Sequence, residues 1–164
     1  RFGLQLVMPP GFEQMEWFGP GPLETYSDRK NARIGQYKGS VGAQWTDYSK
    51  PQENGNKADA RWVALTNEQG VGLLAVGMPL LSTGARHYTH EDMWNAKHTY
   101  EMTRRAEVYW NLDFAQMGVG GDNSWGALPH PPYQLPARAY EYRFRLRPIA
   151  PADGPPAALA RQGF

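Results

Sequence analysis

The chain has 164 residues, a net charge of +1 and 13% aromatic side chains, among them six Trp and nine Tyr. That length holds one domain with a real core, the interspersed charge excludes the basic stripe of a nucleic-acid surface, and the lack of cysteine excludes disulfides and thiolate metal sites. No apolar run approaches the ~18 residues of a membrane helix, and Arg1 enters a strand pattern at once with no leader before it, so the sequence reads as a piece of a longer protein whose compartment stays open.

Phe2, Leu4, Leu6 and Met8 alternate with Gly3, Gln5 and Val7, the period-two pattern of a half-buried strand, which Pro9-Pro10-Gly11 ends. A second strand follows with Met15, Trp17 and Phe18 on its apolar side, and Gly19-Pro20-Gly21-Pro22 reads as stiff punctuation after it. Leu23–Lys30 mixes Tyr26 with acids and bases and reads as a surface loop tied down by ion pairs rather than as a binding site. Ile34–Val41 is a short strand interrupted by glycine, and Pro51–Asn56 a connection built on the Asn54-Gly55 turn signal, its side chains bonding their own backbone. Asp59–Thr66 and Val71–Val76 across Asn67–Gly70 form a hairpin whose second strand, apolar on both faces, is central.

Thr89 with Asp92 three residues on is an N-cap, so a short helix starts here before the pattern returns to strand at His98–Met102. Glu107–Phe114 alternates again, setting Val108, Trp110, Leu112 and Phe114 against Tyr109, Asn111 and Asp113, and delivers the chain into Met117–Gly126. There Gly118, Gly120 and Gly121 allow positive φ or close approach, while Asp122, Asn123 and Ser124 can close Asx- or ST-type turns. The loop holds up Trp125, which is either a plug over the loop, the reading favoured on local grounds, or a presented ring. An indole suits a sugar, because its face packs on pyranose C–H groups while the N–H keeps a polar partner. The closing strand, Ala139–Arg147, places Tyr140, Tyr142, Phe144 and Leu146 inside and Glu141, Arg143 and Arg145 outside. Residues 149–164 form a Pro/Ala-rich tail without periodicity, expected to be disordered. Short strands, Gly/Pro turns and at most one or two short helices specify an all-β antiparallel sandwich over residues 1–148.

Catalytic chemistry finds little support. His87 and His90 lack a third ligand at zinc-like spacing, and Ser124 has neither a Gly-x-Ser-x-Gly elbow nor a base beside it. The acidic pairs Glu24/Asp28, Glu53/Asp59 and Glu91/Asp92 lie in loops or caps, where turn chemistry explains them better than glycoside hydrolysis does. No catalytic and no metal-binding residue is assigned.

Four segments together, Trp17-Phe-Gly-Pro-Gly-Pro-Leu-Glu-Thr-Tyr-Ser-Asp-Arg29, Tyr48-x-x-Pro51-Gln-Glu-Asn-Gly55 with Arg61-Trp62, Met117-Gly-Val-Gly-Gly-Asp-Asn-Ser-Trp125 and Tyr140-x-Tyr-x-Phe-x-Leu146, resemble the C-terminal domain of the large β-galactosidases of glycoside hydrolase family 2 in order and spacing. The resemblance covers Arg1 to about Pro148. It implies the later part of a β-supersandwich of galactose-mutarotase-like fold, following a TIM barrel that carries the two catalytic glutamates and an essential magnesium. It also implies that Trp125, supported by Gly120, Gly121, Asp122, Asn123 and Ser124, reaches the barrel's pocket and helps bind the β-galactoside. The partners so implied are carbohydrate and the remaining domains of the parent enzyme, with self-association of the isolated piece and with neither nucleic acid nor membrane. A free-standing carbohydrate-binding module and an aldose-1-epimerase-like enzyme are the alternatives; for the second, His87, His90 or His98 would have to supply the acid.

Overall fold

A computed structural model describes residues 1–123 and 125–162. The strands are β1 (Phe2–Met8), β2 (Gln14–Gly21), β3 (Arg33–Ser40), β4 (Lys57–Thr66), β5 (Gly72–Arg86), β6 (Val108–Ala115) and β7 (Phe144–Ile149). The helices are α1 (His90–Asn95) and α2 (Pro156–Leu159). All strand pairs are antiparallel, in the order β1-β6-β5-β4-β2-β3 with β7 also on β5. The architecture is therefore all-β and sandwich-like, with two short α-helices among the described residues. Neither is long and apolar enough to cross a membrane.

β5 is the organising strand. Along Gly72–Gly77 it pairs with β4 and β7, and along Ser82–Arg86 with β6. Between these stretches the register with β4 shifts, from Trp62↔Val76 to Ala60↔Leu81, and a Cβ on Gly77 would lie 2.5 Å from the Leu80 carbonyl carbon. The alternation in β4 then sorts side chains between two cores. Val63 and Leu65 join Met15, Trp17, Ala75 and Trp110 on one face, while Trp62 and Ala64 join Leu74, Ile149 and Leu159 on the other. A strand apolar on both faces is what a sheet covered on both sides requires.

Several boundaries differ from the sequence reading. β2 runs through Gly19-Pro20-Gly21, paired with Gly35, Ile34 and Arg33 of β3. Its ladder with β4 has already ended at Phe18↔Trp62, so the proline stands where the strand has a partner on one side only, a position that tolerates it. Leu23–Lys30 does carry its ion pairs, Glu24 with Arg29 and Lys30 with Asp59, but Thr25 and Tyr26 are buried. The segment is stitched to Gly55–Ala58 by Thr25 N–H donating to the Asn56 carbonyl (2.7 Å) and Ala58 N–H donating to Thr25 Oγ1 (2.9 Å). The asparagines of Pro51–Asn56 likewise bond distant backbone rather than their own: Asn54 exchanges two hydrogen bonds with Thr46 (2.8 and 2.6 Å), and Asn56 donates to the Thr25 carbonyl (2.9 Å).

The capping box of α1 is present in both directions, Asp92 N–H to Thr89 Oγ1 (3.0 Å) and Thr89 N–H to Asp92 Oδ2 (2.9 Å). His98–Met102 is not a strand; Thr99–Glu101 is a 3₁₀ turn, closed by Glu101 accepting from Lys97 N–H and bonding His98. In β6, Asn111 and Asp113 are buried along with their apolar neighbours and Phe114 is exposed. Arg86 donates to Asn111 (2.9 Å) and Glu53 (2.8 Å), and Arg1 pairs with Glu53 (2.6 Å) and Asp113 (3.2 Å), so a buried ionic cluster replaces the expected solvent face. β7 begins only at Phe144, and Leu146 is exposed while Ile149 is buried.

The facing is set by the tail. Residues expected to be disordered instead form a 3₁₀ turn at Pro151–Asp153 and α2. Leu159, 1% exposed, packs beside Ile149, Trp62 and Leu74. Arg145 turns toward this tail and donates to the Leu159 carbonyl (2.9 Å).

Candidate functional site

β6 ends at Ala115 and the chain leaves the sheet as the glycine loop. Its geometry follows from few contacts. Gly118 N–H donates to the Tyr133 carbonyl (2.8 Å) and Gly120 N–H to Asp28 Oδ2 (2.7 Å), fixing the outgoing limb. A Cβ on Gly121 would lie 2.2 Å from the Ala127 carbonyl oxygen, so two limbs of the loop touch where only glycine fits. Asn123 Oδ1 accepts from Trp125 N–H (3.1 Å) and from Ala127 N–H (3.2 Å), an Asx-type turn that sets the backbone beneath the indole. Asp122 binds His130 Nε2 (2.7 Å), which holds that imidazole above its usual range. Ser124 lies outside the described residues.

Trp125 is 84% exposed. At that exposure it is a presented ring and not a plug. Met117, Val119 and Leu128 of the same stretch are also exposed.

The acidic pairs weighed in the sequence are committed elsewhere. Glu24 accepts from Tyr26 Oη (2.9 Å), Gly55 N–H (2.8 Å), Tyr48 and Arg29. Burial alone would raise its carboxyl, but these donors, Tyr48 foremost, outweigh burial and hold it below the usual carboxylate range. Glu53 belongs to the Arg1–Arg86 cluster, and Asp92 caps α1 while receiving two bonds from Arg105 (2.6 and 2.8 Å). Burial pushes Asp113 up to about 6 against the pull of Arg1. His87 and His90 do not form a ligand cluster: His87 Nδ1 donates to the Arg105 (3.0 Å) and Glu107 (3.1 Å) carbonyls, and its Nε2 bonds Glu13 and Arg104. Among the described residues no group of three His, Asp or Glu could hold a metal ion.

The fold and this loop find their counterpart in a family model described as the β-galactosidase small chain, which matches residues 1–146. The chain belongs to the β-galactosidase small-chain family. It is 42% identical over 151 residues, 91% of its length, to a β-galactosidase of Priestia megaterium. It is 37% identical over 90% of its length to one of Vibrio cholerae and 35% identical over 90% to one of Lactobacillus delbrueckii subsp. bulgaricus. It spans only 14–15% of the length of these three relatives. The β-galactosidase small-chain match takes in β1 to β6, the first half of β7 and the whole glycine loop, and it stops short of the ordered tail.

What sequence reasoning missed in this small-chain domain is the pairing of the glycine loop with Leu23–Lys30. Asp28 and Gly120 are 92 positions apart, and the signal available, an acidic residue in a Tyr-Ser-Asp-Arg turn, points to no particular amide.

Proposed function

We propose that this chain is the non-catalytic supersandwich segment of a retaining β-galactosidase of glycoside hydrolase family 2, and that Trp125 forms an aromatic wall of the sugar site. The observation that carries the reading is the exposure of Trp125, 84%, on a loop anchored at Gly118, Gly120 and Asn123. A hydrophobic ring kept in water by a held backbone is the arrangement of a binding platform. The exposed apolar side chains Met117, Val119 and Leu128 suit a loop that seats against another domain of the same polypeptide. The relatives' names, β-galactosidase in each case, supply the substrate class.

Hydrolysis with retention needs one carboxyl group as acid/base and a second as nucleophile about 5–5.5 Å away. Here Glu24, Glu53 and Asp92 are held in structural contacts, and an indole offers neither a nucleophile nor a proton-transfer group. In this reading both catalytic carboxylates and the magnesium belong to a barrel elsewhere in the enzyme, and this segment contributes sugar-binding energy. The purified chain tests the division of labour: it is expected to release no phenol from a chromogenic β-galactoside. Turnover that persists through preparation from a host lacking β-galactosidase would overturn it.

A further inference from the structure

We infer that Asp28 is the positioning residue of the Trp125 loop, a role that rests on the sugar-platform reading and extends it to a second segment of the chain. The Asp28 carboxylate lies against the outgoing limb of the loop. Its Oδ2 accepts from Gly120 N–H at 2.7 Å, and a Cβ on Gly118 would come within 2.5 Å of the same oxygen. Two of the loop's glycines are thus explained by one side chain: Gly118 leaves room for the carboxylate and Gly120 bonds to it.

Asp28 is itself held. It sits at the tip of a tight turn in which Tyr26 N–H donates to the Arg29 carbonyl (3.1 Å) and Arg29 N–H to the Tyr26 carbonyl (2.9 Å). Both flanks of that turn are tied to one carboxylate, since the Tyr26 hydroxyl and the Arg29 guanidinium each donate to Glu24. Glu24 in turn accepts from Gly55 N–H and from Tyr48. The path from the buried interior to the exposed indole therefore runs Glu24, Tyr26–Arg29 turn, Asp28, Gly120, Asn123, Trp125. Between the turn and the loop lies a cleft of about 320 Å³ lined by Arg29, Tyr48, Gln52 and Val119 among others. Asp28 and Gly120 both line it. Without the carboxylate the loop has space to fall inward, and the indole moves with it.

The test uses the full chain and the complete β-galactosidase that contains this segment. In the chain, amide hydrogen exchange at Gly120 reads the bond itself. A lost charge-assisted hydrogen bond should speed exchange there by roughly tenfold to a hundredfold in Asp28→Ala, with the melting temperature little changed. Asp28→Asn, whose amide oxygen still accepts, should restore most of the protection. Asp28→Leu, similar in size and without an acceptor, serves if the alanine variant does not fold. In the enzyme, Asp28→Ala should raise KM for lactose more than it lowers kcat, and adding Trp125→Ala should give little further loss, as for two groups acting through one contact. Unchanged exchange at Gly120 would overturn the positioning role. Faster exchange with kinetics insensitive to Trp125 would instead overturn the sugar-platform reading and leave Asp28 as the loop's anchor.

Discussion

Lys57 shows how far a single residue can depart from what its type suggests. It opens β4, is 1% exposed, and places its ammonium 4.9 Å from the centroid of the Trp17 ring. Burial pushes its pKa down to about 8, with the Glu24 charge pulling the other way. The unfolded chain keeps this proton up to the ordinary value near 10.5. Between those limits the unfolded state binds more protons than the folded one, so stability rises with pH. The window is useful up to about pH 10, where tyrosines of the unfolded chain begin to ionise; Tyr26, held far above that range by burial, then works in the opposite direction. We expect the urea midpoint to climb from pH 8 to 9.5 and the slope to flatten in Lys57→Met. A flat wild-type profile would show that the ammonium is solvated in the folded protein. Nothing in the sequence marks Lys57 as buried, because its cation–π contact needs β2 and β4 side by side. Asn123 is the opposite case: its turn is local, and the side-chain bonds to the next few amides were legible from Asp-Asn-Ser after glycine.

Among the elements, those specified by short-range pattern were read well and those specified by long-range cover were not. The β4–β5 hairpin follows from two apolar strands across the polar Asn67–Gly70 turn. The Thr89 cap is equally local. The far half of β5, Met78–Arg86, lies beyond the Val71–Val76 strand read from the sequence; the strand continues there and changes partner from β7 to β6. The tail was misread because Pro and Ala carry no period; what orders it is the second core, which supplies a socket for Leu159. Leu159→Ala should therefore cost about 2–5 kcal/mol, the range for emptying a buried leucine site. Val7→Ala on the exposed side of β1 (58% exposed) should change stability by less than about 0.5 kcal/mol. Equal, small effects in equilibrium urea unfolding would mean that α2 does not pack on the sheet in solution.

For the whole molecule, the sheet ends at β1 on one side and β3 on the other. β1 carries Gln5 as its one polar side chain and leaves Phe2, Leu4 and Val7 exposed. It has no Lys, Pro or inward charge of the kind that protects an edge. The isolated chain is accordingly expected to self-associate through β1, and light scattering after size exclusion across a dilution series checks this: a monomer at every concentration would contradict it. The family was legible in the sequence because its motifs are dense in the end of β2 with the turn after it, Trp17–Arg29, and in the loops Pro51–Gly55 and Met117–Trp125. The support between two of those loops, Asp28 beneath Gly120, became visible only with the fold. The proposed sugar-binding role of the indole at 125 is tested most directly by steady-state kinetics on lactose for the complete β-galactosidase and its Trp125→Ala variant. Removing an aromatic platform from one face of a bound ring should cost about 1–3 kcal/mol, a loss in kcat/KM of roughly fivefold to 150-fold, with an unchanged melting temperature. Wild-type kinetics in a variant that melts several degrees lower would contradict the account and make Trp125 a structural residue.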